Sequence, residues 1–328
     1  MMILPKRLSI LLTLSLFLTH SVSGFDGAGD LIIEQMEVPE APRLAWQVKP
    51  VIHSLFPPVK EVQPEVHRND TLFGLLVSKV TNPTLTAYVP KNENEKKSAV
   101  IICPGGGYHT LLMEREGSQV AQEFAGKGIA AFVLKYRLPG NETGVTDPFA
   151  PLKDAQRAIQ MVRENAASWG IDPSKVGIMG FSAGGHLAAT LGVHYDSVMI
   201  EHGVESVLRP DFLILINPVI SFDGQTGHSG SRNNLLGINE NAELTQFFSN
   251  HLHVNKKTPK SILFHTDDDQ VVSVRNSYFF YQQLHDHGIP AELHIYSRGD
   301  HGFIRFPEFE EWFPRLTRWM KMEDLLNK

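Results

Sequence analysis

The sequence is poor in the features on which several classes of protein depend. It has one cysteine, Cys103, among 328 residues, so it cannot form an intrachain disulfide and must be stabilised by its core. It has no run of basic residues and a formal net charge of −6, which argues against nucleic acid as a partner because phosphate binding needs clustered Lys and Arg. No Cys/His or His-Glu-x-x-His spacing suits a zinc ion. What remains is a composition ordinary for a globular protein, with 42% hydrophobic and 20% charged residues.

The apolar run at the N-terminus is too short to span a bilayer. It covers residues 8–18, follows Lys6 and Arg7, and precedes the small residues of 22–24. A transmembrane helix needs about 20 apolar residues, whereas a charged start, a short apolar centre and a small-residue site are typical of a signal peptide. The pattern predicts a signal peptide over residues 1–24, and therefore a secreted or periplasmic protein without stable membrane association after cleavage. An uncleaved membrane anchor is the alternative interpretation.

Two segments follow the predicted signal peptide. Residues 25–75 are rich in Pro and Glu and are expected to form an irregular N-terminal lead-in, whereas residues 76–328 are expected to form one catalytic domain. Within that domain, short apolar runs of β-favouring residues are typical of strands buried on both faces of a parallel sheet. They lie at residues 85–89, 99–103, 130–136, 176–179, 212–216, 261–265 and 292–296.

Helical patterns alternate with these runs. Apolar residues recur at three- and four-residue steps over residues 152–169, and Gly170 then ends the pattern. Residues 117–126, 274–287 and 309–326 show similar patterns. Strands that alternate with helices predict a single-domain α/β fold, with a mostly parallel central sheet and helices on both faces. In such a sheet the active groups lie beyond the carboxyl ends of the strands.

A G-x-S-x-G sequence at residues 180–184 follows one predicted strand and precedes a helix-compatible segment. This strand-to-helix turn is where a nucleophilic serine, here Ser182, is expected. Glycine is needed at positions 180 and 184 because side chains there would collide with the neighbouring strand and helix. A tight glycine-rich turn without chemistry is the alternative interpretation.

A serine hydroxyl is a weak nucleophile, so the chain should also supply a base and a carboxylate that orients it. Acidic residues follow the predicted strand at 261–265, and His301 follows the next predicted strand, which gives the order serine, acid, histidine. Asp268 and Asp269 both fit the acid, and we favour Asp269 because it lies three residues before Val272. Three candidates that each follow their own strand, in the right order, are much harder to obtain by chance than one pentapeptide.

The glycines after the predicted strand at 99–103 are suited to bind an oxyanion. Gly105, Gly106 and Gly107 leave backbone N–H groups unobstructed. Donors aimed at the developing oxyanion are often the largest single contribution to acyl transfer. Together with the N–H of Ala183, the amides of Gly106 and Gly107 predict an oxyanion hole.

Several other polar residues compete for these roles. His186 lies one helical turn after the candidate serine and is expected to pack beneath the turn. His265 is expected to be a hydrogen-bonded structural residue at the end of its strand. Asp300 adjoins His301 but is too close in sequence to reach its ring comfortably.

The segment of residues 221–250 exceeds the usual length of a connection between strands, so it is expected to be a loop that forms a substrate-facing wall or lid. Ser229 and Ser231 lie in this predicted loop and miss the spacing of a nucleophile turn. For each polar residue near the site, packing within the loop is at least as good an explanation as substrate binding. The candidate substrate contacts are Tyr108, His109, His228 and Arg232.

Seven short motifs together carry a family resemblance. They are CPGGGY (103–108), EG (116–117), LKYRLP (134–139), PLKDAQRA (151–158), GIMGFSAGGH (177–186), SRNNLLG (231–237) and GDHG (299–302). With these motifs the chain resembles the α/β-hydrolase superfamily and, more narrowly, secreted carbohydrate esterases of the acetylxylan and feruloyl esterase kind, including relatives labelled as xylanase-associated esterases. The resemblance runs from about residue 82 to residue 303. Ser273 departs from the pattern, which more often has Pro after the Val, and this bears only on the loop that carries the acid.

The resemblance implies a triad of Ser182, Asp269 and His301 in a secreted serine esterase that removes acetyl or other small acyl groups from sugar hydroxyls. Such a reaction needs no metal or organic cofactor, and its partner is an acylated carbohydrate or another small ester. The sequence shows no pair of carboxylates suited to glycoside hydrolysis, which favours an esterase over a glycosidase. The alternatives are a general small-ester carboxylesterase, a serine peptidase of the prolyl-oligopeptidase type, whose usual gating domain this sequence does not contain, and a catalytically silent binding protein, which generally has lost a triad residue.

Overall fold

Eleven strands among the described residues form two sheets. The structure, a computed structural model, describes residues 49–59, 63–91, 96–224, 226–239, 241–303 and 306–326. The strands are β1 (Val51–Ser54), β2 (Val66–Asp70), β3 (Gly74–Ser78), β4 (Thr84–Tyr88), β5 (Lys97–Cys103), β6 (Thr110–Leu112), β7 (Ala130–Lys135), β8 (Ile171–Phe181), β9 (Phe212–Ile216), β10 (Lys260–Thr266) and β11 (Ala291–Tyr296).

Eight of these strands form the central sheet, in the order β1-β4-β7-β5-β8-β9-β10-β11. From β7 to β11 in that order the neighbours are parallel, whereas β4 pairs with both β1 and β7 in antiparallel register. Every residue of β5 and β9 is buried, as expected for strands covered on both faces. All seven apolar runs that were predicted to be strands belong to this sheet, so the predicted α/β architecture is confirmed.

Helices cover both faces of the central sheet. The helices α1 (Gln119–Gly126) and α9 (Phe309–Met322) belong to one hydrophobic cluster, and α2 (Ala150–Glu164), α4 (Ser182–His194) and α8 (Arg275–Asp286) belong to another. Successive residues of β5 from position 99 contribute to the two clusters in turn, because side chains alternate across a strand. The shorter helices are a π-helical turn (Glu114–Ser118), α3 (Ala166–Trp169), α5 (Glu205–Leu208), α6 (Ser229–Leu236), α7 (Ala242–Phe247) and two 3₁₀ turns (Asn250–His253 and His301–Phe303).

All four predicted helical segments contain helix, with changed bounds. The pattern at residues 152–169 is two helices, α2 and α3, with Asn165 between them. Gly170 ends the second helix with a φ of +63°, a left-handed conformation that glycine adopts without strain. The pattern at residues 117–126 begins inside the π-helical turn and continues as α1.

The prediction that residues 25–75 are irregular is wrong in the described part of that segment. Strand β1 extends one edge of the central sheet, and β2, β3 and β6 form a separate three-stranded antiparallel sheet. The abundant Pro and Glu obscured the short strands β1 and β2, which contain no buried residue and therefore no buried apolar run. Residues 1–48, with the predicted signal peptide, lie outside the described residues. Of the helices that the structure describes, none combines the length and the apolar character that a bilayer crossing requires.

The prediction of a loop over residues 221–250 is also wrong, because this segment contains α6 and α7. Ser229 and Ser231 belong to the first turn of α6, and the ring of His228 caps that helix by accepting a hydrogen bond from the backbone N–H of Ser231 (3.2 Å). We refer to residues 221–250 as the insert. It lies in sequence between β9 and β10, the strand that leads to the candidate acid.

Candidate active site

Ser182 occupies the sharp turn between β8 and α4. Its φ is +50°, a left-handed conformation that is uncommon for a residue with a side chain. A Cβ at Gly180 would overlap the carbonyl oxygen of Gly184, and a Cβ at Gly184 would overlap that of Cys103 at the end of β5. Both glycines are therefore required by close backbone approach, as the sequence predicted.

The side chains of Ser182, His301 and Asp269 form one continuous chain of hydrogen bonds. The Nε2 of His301 lies 2.9 Å from Ser182 Oγ, and its Nδ1 lies 2.7 Å from Asp269 Oδ2. Because an ionised carboxylate only accepts hydrogen bonds, Nδ1 carries the proton and Nε2 is left to accept the Ser182 hydroxyl hydrogen. The three residues come from three different strand ends, after β8, β10 and β11.

Asp269 is a buried carboxylate with several donors. Its Oδ1 accepts hydrogen bonds from the amides of Val271 (2.9 Å) and Val272 (2.8 Å). Burial by itself would raise the pKa of Asp269, but the hydrogen bonds from His265 and His301, the charge of His301 and the Val272 amide outweigh it and hold the pKa well below its usual range. The group is therefore ionised and able to orient a histidine at neutral pH.

Asp268, the alternative acid, has a different role. Its side chain is exposed, and its Oδ1 accepts a hydrogen bond from the backbone N–H of Asp300 (3.0 Å). The Oδ1 of Asp300, in turn, accepts the backbone N–H of His301 (2.8 Å) rather than approaching its ring. Of the two adjacent aspartates, the structure brings Asp269 to the histidine. Asp268 links the acid loop (residues 267–274, after β10) to the histidine loop (residues 297–303, after β11).

His265 lies closer to the site than the sequence suggested. It is wholly buried, and its Nε2 lies 3.2 Å from Asp269 Oδ2 and 2.9 Å from the carbonyl oxygen of Val272. Both partners are acceptors, so Nε2 carries a proton, while Nδ1 faces the hydroxyl of Ser277 at 2.7 Å. His265 is thus a second imidazole on the carboxylate of Asp269, and its position four residues before that aspartate is the signal that could have revealed it.

The glycine loop, residues 104–108, follows β5 and packs against Ser182. A Cβ placed on Gly105 would lie 3.0 Å from Ser182 Cβ. Gly106 and Gly107 have φ values of +126° and +63°, and neither amide donates a hydrogen bond to another group in the part of the chain that the structure describes. Ala183 lies in the first turn of α4, where backbone N–H groups have no partner within the helix. The predicted oxyanion donors are therefore on two segments that meet at the serine.

The predicted substrate contacts fare differently. The prediction that Tyr108 contacts the substrate is wrong. Its side chain is 1% exposed, and its hydroxyl lies 2.8 Å from His186 Nδ1, beneath the backbone of the glycine loop. His109 is exposed at the end of that loop, and Arg232 is half-buried on α6, and both remain predictions. His228 is half-buried, and burial lowers its pKa, with a further lowering by the charge of His301, so it lies within electrostatic reach of that histidine.

His186 is not placed to act as the base. It is wholly buried, its Nε2 faces the carbonyl oxygen of Phe248 at 2.8 Å, and its Nδ1 faces the Tyr108 hydroxyl. Burial lowers the pKa of His186 to about 4, so the ring is neutral at pH 7. It packs beneath the turn, as the sequence predicted.

Within the described ranges, no group of three or more His, Cys, Asp or Glu side chains is arranged to hold a metal ion. The site brings together an oriented serine, a histidine that can take its proton, a carboxylate that can stabilise the resulting imidazolium, and free amides beside the serine.

Comparisons with known proteins give a consistent set of relatives. Residues 85–284 match the family model described as BD-FAE. The chain is 38% identical over 224 residues to the endo-1,4-beta-xylanase B of Butyrivibrio fibrisolvens, an alignment that covers 67% of this chain and 34% of that protein. It is 34% identical over 256 residues to an acetylxylan esterase of Xylanibacter ruminicola, covering 76% of this chain and 50% of the relative.

A solved structure matches over most of its length. The acetyl ester-xyloside bifunctional hydrolase from Caldicellulosiruptor lactoaceticus has a TM-score of 0.68 and 37% identity, and the match covers 75% of this chain and 90% of that one. By contrast, the chain spans only about a third to a half of the length of the two curated relatives.

Proposed function

The chain belongs to the BD-FAE family of α/β-hydrolases, and from this premise we propose that it is a serine esterase that removes acetyl or other small acyl groups from carbohydrate esters of the xylan type. The single observation that carries the proposal is the unbroken chain of hydrogen bonds from Ser182 Oγ through His301 to Asp269. A merely structural glycine turn has no need of a serine hydroxyl aimed at a histidine that is itself held by an ionised carboxylate.

In the proposed mechanism His301 acts first as a base and then as an acid. Its Nε2 takes the proton of the Ser182 hydroxyl as Oγ attacks the ester carbonyl, and Asp269 stabilises the imidazolium that forms. The imidazolium then protonates the departing sugar oxygen, which leaves an acyl group on Ser182. Water hydrolyses this acyl-enzyme with His301 again as the base, and the free acid is released.

The negative oxygen of each tetrahedral intermediate would be stabilised by backbone amides. Gly106, Gly107 and Ala183 are the proposed donors, because Ala183 follows Ser182, the two glycines belong to the loop that packs against Ser182 through Gly105, and their N–H groups are not engaged elsewhere among the described residues. The N-terminal end of α4 adds a partial positive charge at the same place. Such pre-positioned donors contribute roughly 10²–10³-fold each to the rate in well-studied acyl transferases.

The choice of a carbohydrate ester is supported by the names of the relatives. One relative is an acetylxylan esterase, and the solved structure with the TM-score of 0.68 is an acetyl ester-xyloside bifunctional hydrolase. Export from the cytoplasm, which fits a polysaccharide substrate, is supported by the charged and apolar N-terminal pattern of residues 1–24.

The first test is hydrolysis of p-nitrophenyl acetate by the wild-type protein and by Ser182→Ala. We expect the variant to lose at least about 10⁴-fold in kcat, because the acyl-enzyme cannot form. A thermal melt of both proteins serves as the control for folding. Equal rates in the two proteins would sink the esterase proposal.

A substrate panel then tests the ester itself. We expect acetate release from acetylated xylan and xylo-oligosaccharides to exceed ferulate release from feruloylated sugars and acetate release from acetylated pectin. Activity confined to p-nitrophenyl and short alkyl esters would replace the carbohydrate esterase by a general small-ester carboxylesterase that uses the same residues.

A further inference from the structure

A buried carboxylate outside the proposed mechanism lies beside the active site. Glu116 belongs to the π-helical turn Glu114–Ser118 and is 5% exposed. A buried carboxylate is destabilising unless its contacts compensate, so those contacts indicate its role. Resting on the proposed esterase reaction, we propose that Glu116 is a positioning residue: it holds the glycine loop against Ser182 and keeps a negative charge beside His301.

The first contact of Glu116 is with the glycine loop. Its Oε2 accepts a hydrogen bond from the backbone N–H of Gly105 at 2.7 Å, a short distance typical of a bond to a charged acceptor. A Cβ placed on Gly105 would lie 2.8 Å from this oxygen and 2.8 Å from the Phe181 carbonyl oxygen. Gly105 therefore lies between the carboxylate and the turn that carries Ser182, and Glu116 fixes the distance between the glycine loop and Ser182.

The second contact is with the histidine loop. A Cβ placed on Gly302, the residue after His301, would lie 3.4 Å from Glu116 Oε1. The neighbouring Arg115 donates a hydrogen bond from Nη2 to the carbonyl oxygen of Phe303 (2.9 Å), which joins the same turn to the same loop. One π-helical turn thus contacts both loops that must close around the reacting ester, and such turns are frequent at functional sites.

The charged groups that act on Glu116 are Arg115 on its own turn and His301 on the histidine loop, and Glu116 in turn helps to raise the pKa of Tyr136, which follows β7. Burial raises the pKa of Glu116 above its usual value, and the Gly105 amide and the positive charges of His301 and Arg115 offset only part of that rise. The donors around it are those that favour the carboxylate, and Arg115 faces it as a cation.

The imidazolium of His301 is the cation that forms during the reaction. The groups that face it are the carboxylates of Asp269 and Glu116 and the half-buried ring of His228. An adjacent anion stabilises a protonated histidine, so removal of the Glu116 charge makes His301 harder to protonate. Protonated His301 cannot act as the base, so activity is lost as the pH falls. In a protein without the Glu116 charge, this acid limb of the kcat–pH profile must move to lower pH.

Two substitutions separate the charge from the hydrogen bond. Glu116→Gln removes the charge and replaces a charge-assisted bond with a neutral one. We expect its kcat to fall roughly tenfold, with little change in KM, and its acid limb to move to lower pH. Glu116→Asp keeps the charge but shortens the reach to Gly105, so kcat should fall while the acid limb stays near that of the wild-type protein.

Glu114→Gln is the matched control, because Glu114 lies in the same turn and its Oε2 also accepts a backbone hydrogen bond, from Leu75 of the small sheet (3.0 Å). It should keep the wild-type kcat and acid limb. The midpoint of the acid limb does not depend on the amount of folded enzyme, so partial misfolding cannot imitate the shift.

The proposal is overturned if Glu116→Gln has the kcat and acid limb of the wild-type protein, or if Glu114→Gln shifts both equally. If Glu116→Gln does not fold, Glu116→Asp decides, and an unchanged kcat would contradict the proposal. Failure of the esterase proposal has a different signature, since Ser182→Ala would then retain the wild-type rate whatever happens at Glu116.

Discussion

The active site has two sides that are built differently. The inner side consists of buried polar side chains beneath the glycine loop and at the acid; these are Tyr108, Glu116, Tyr136, His186 and Asp269. The outer side is α6 of the insert, which touches the loop through an exposed residue, Asn234, whose Nδ2 donates a hydrogen bond to the carbonyl oxygen of Gly107 (2.8 Å). The two sides hold opposite parts of one short loop.

The difference lies in what each hydrogen bond contributes. On the inner side the Tyr136 hydroxyl donates to the carbonyl oxygen of Pro104 (2.7 Å) with no access to water, so losing it leaves a buried group unsatisfied at a penalty of about 1–3 kcal/mol. On the outer side water can replace Asn234, so that bond contributes little. The inner side therefore fixes the position of the glycine loop, whereas the insert contributes little to it.

The largest expected contrast is between the adjacent aspartates, one on the inner side and one exposed. Asp269→Asn should lower kcat by about 10⁴-fold, because an amide cannot hold His301 in the tautomer that accepts the serine proton. Asp268→Asn should lower it only a few-fold, since the amide oxygen can still accept the Asp300 N–H. The measurement is kcat for p-nitrophenyl acetate, with a thermal melt of each variant. Equal losses would remove the distinction between the buried and the exposed carboxylate.

A second contrast concerns stability rather than rate, and it tests the burial of His186. Its folded pKa of about 4 lies below the value of about 6.5 for an exposed histidine. As the pH falls through that interval the unfolded chain takes up a proton that the folded chain does not, so the fold loses stability. Between pH 7 and pH 5 this amounts to about 2 kcal/mol for a wholly buried ring.

Urea unfolding at pH 7 and pH 5 measures the effect. The difference in unfolding free energy between the two pH values should shrink in His186→Gln. His285→Gln removes a histidine whose side chain is 75% exposed and should leave the difference as it is in the wild-type protein. An unchanged pH difference in His186→Gln would contradict the inner-side role of this ring.

The smallest effect is expected on the outer side. His228→Ala should raise KM for acetylated xylo-oligosaccharides by roughly threefold to tenfold, as for the loss of one hydrogen bond, and more than it raises KM for p-nitrophenyl acetate. His228 also caps α6, so His228→Asn, which keeps a good capping residue, is the control for helix stability. If both variants bind the two substrates as the wild-type protein does, the outer side does not contact the sugar.

The parts of the site that were predictable are those that depend on local sequence. A serine between two glycines at a strand end, and acid and histidine after later strands, are patterns of a few residues each. Tyr108 was misassigned because its burial depends on His186, a residue far along the chain. The contact of Glu116 with Gly105 is likewise tertiary, and nothing in the local sequence indicates it.

The insert was misjudged for a different reason. The sequence of α6, SGSRNNLL, contains a glycine and two asparagines, which have low helix propensity. Its helix depends on the His228 cap and on Leu235, which is buried in the core. Neither produces a pattern of apolar residues at three- and four-residue steps in the sequence. Tertiary contacts thus override helix propensity in this part of the insert.

The single cysteine, Cys103, is a natural probe of local unfolding in this protein. Cys103 ends β5, is wholly buried, and lies where its carbonyl oxygen touches the turn that carries Ser182. Burial raises the pKa of its thiol far above the usual range, so the reactive thiolate does not form while the sheet is closed. A thiol-specific alkylating reagent therefore modifies a single position, and only in molecules in which the sheet has opened beneath Ser182. The rate of that labelling measures local unfolding at the turn that carries Ser182, with no engineered label required.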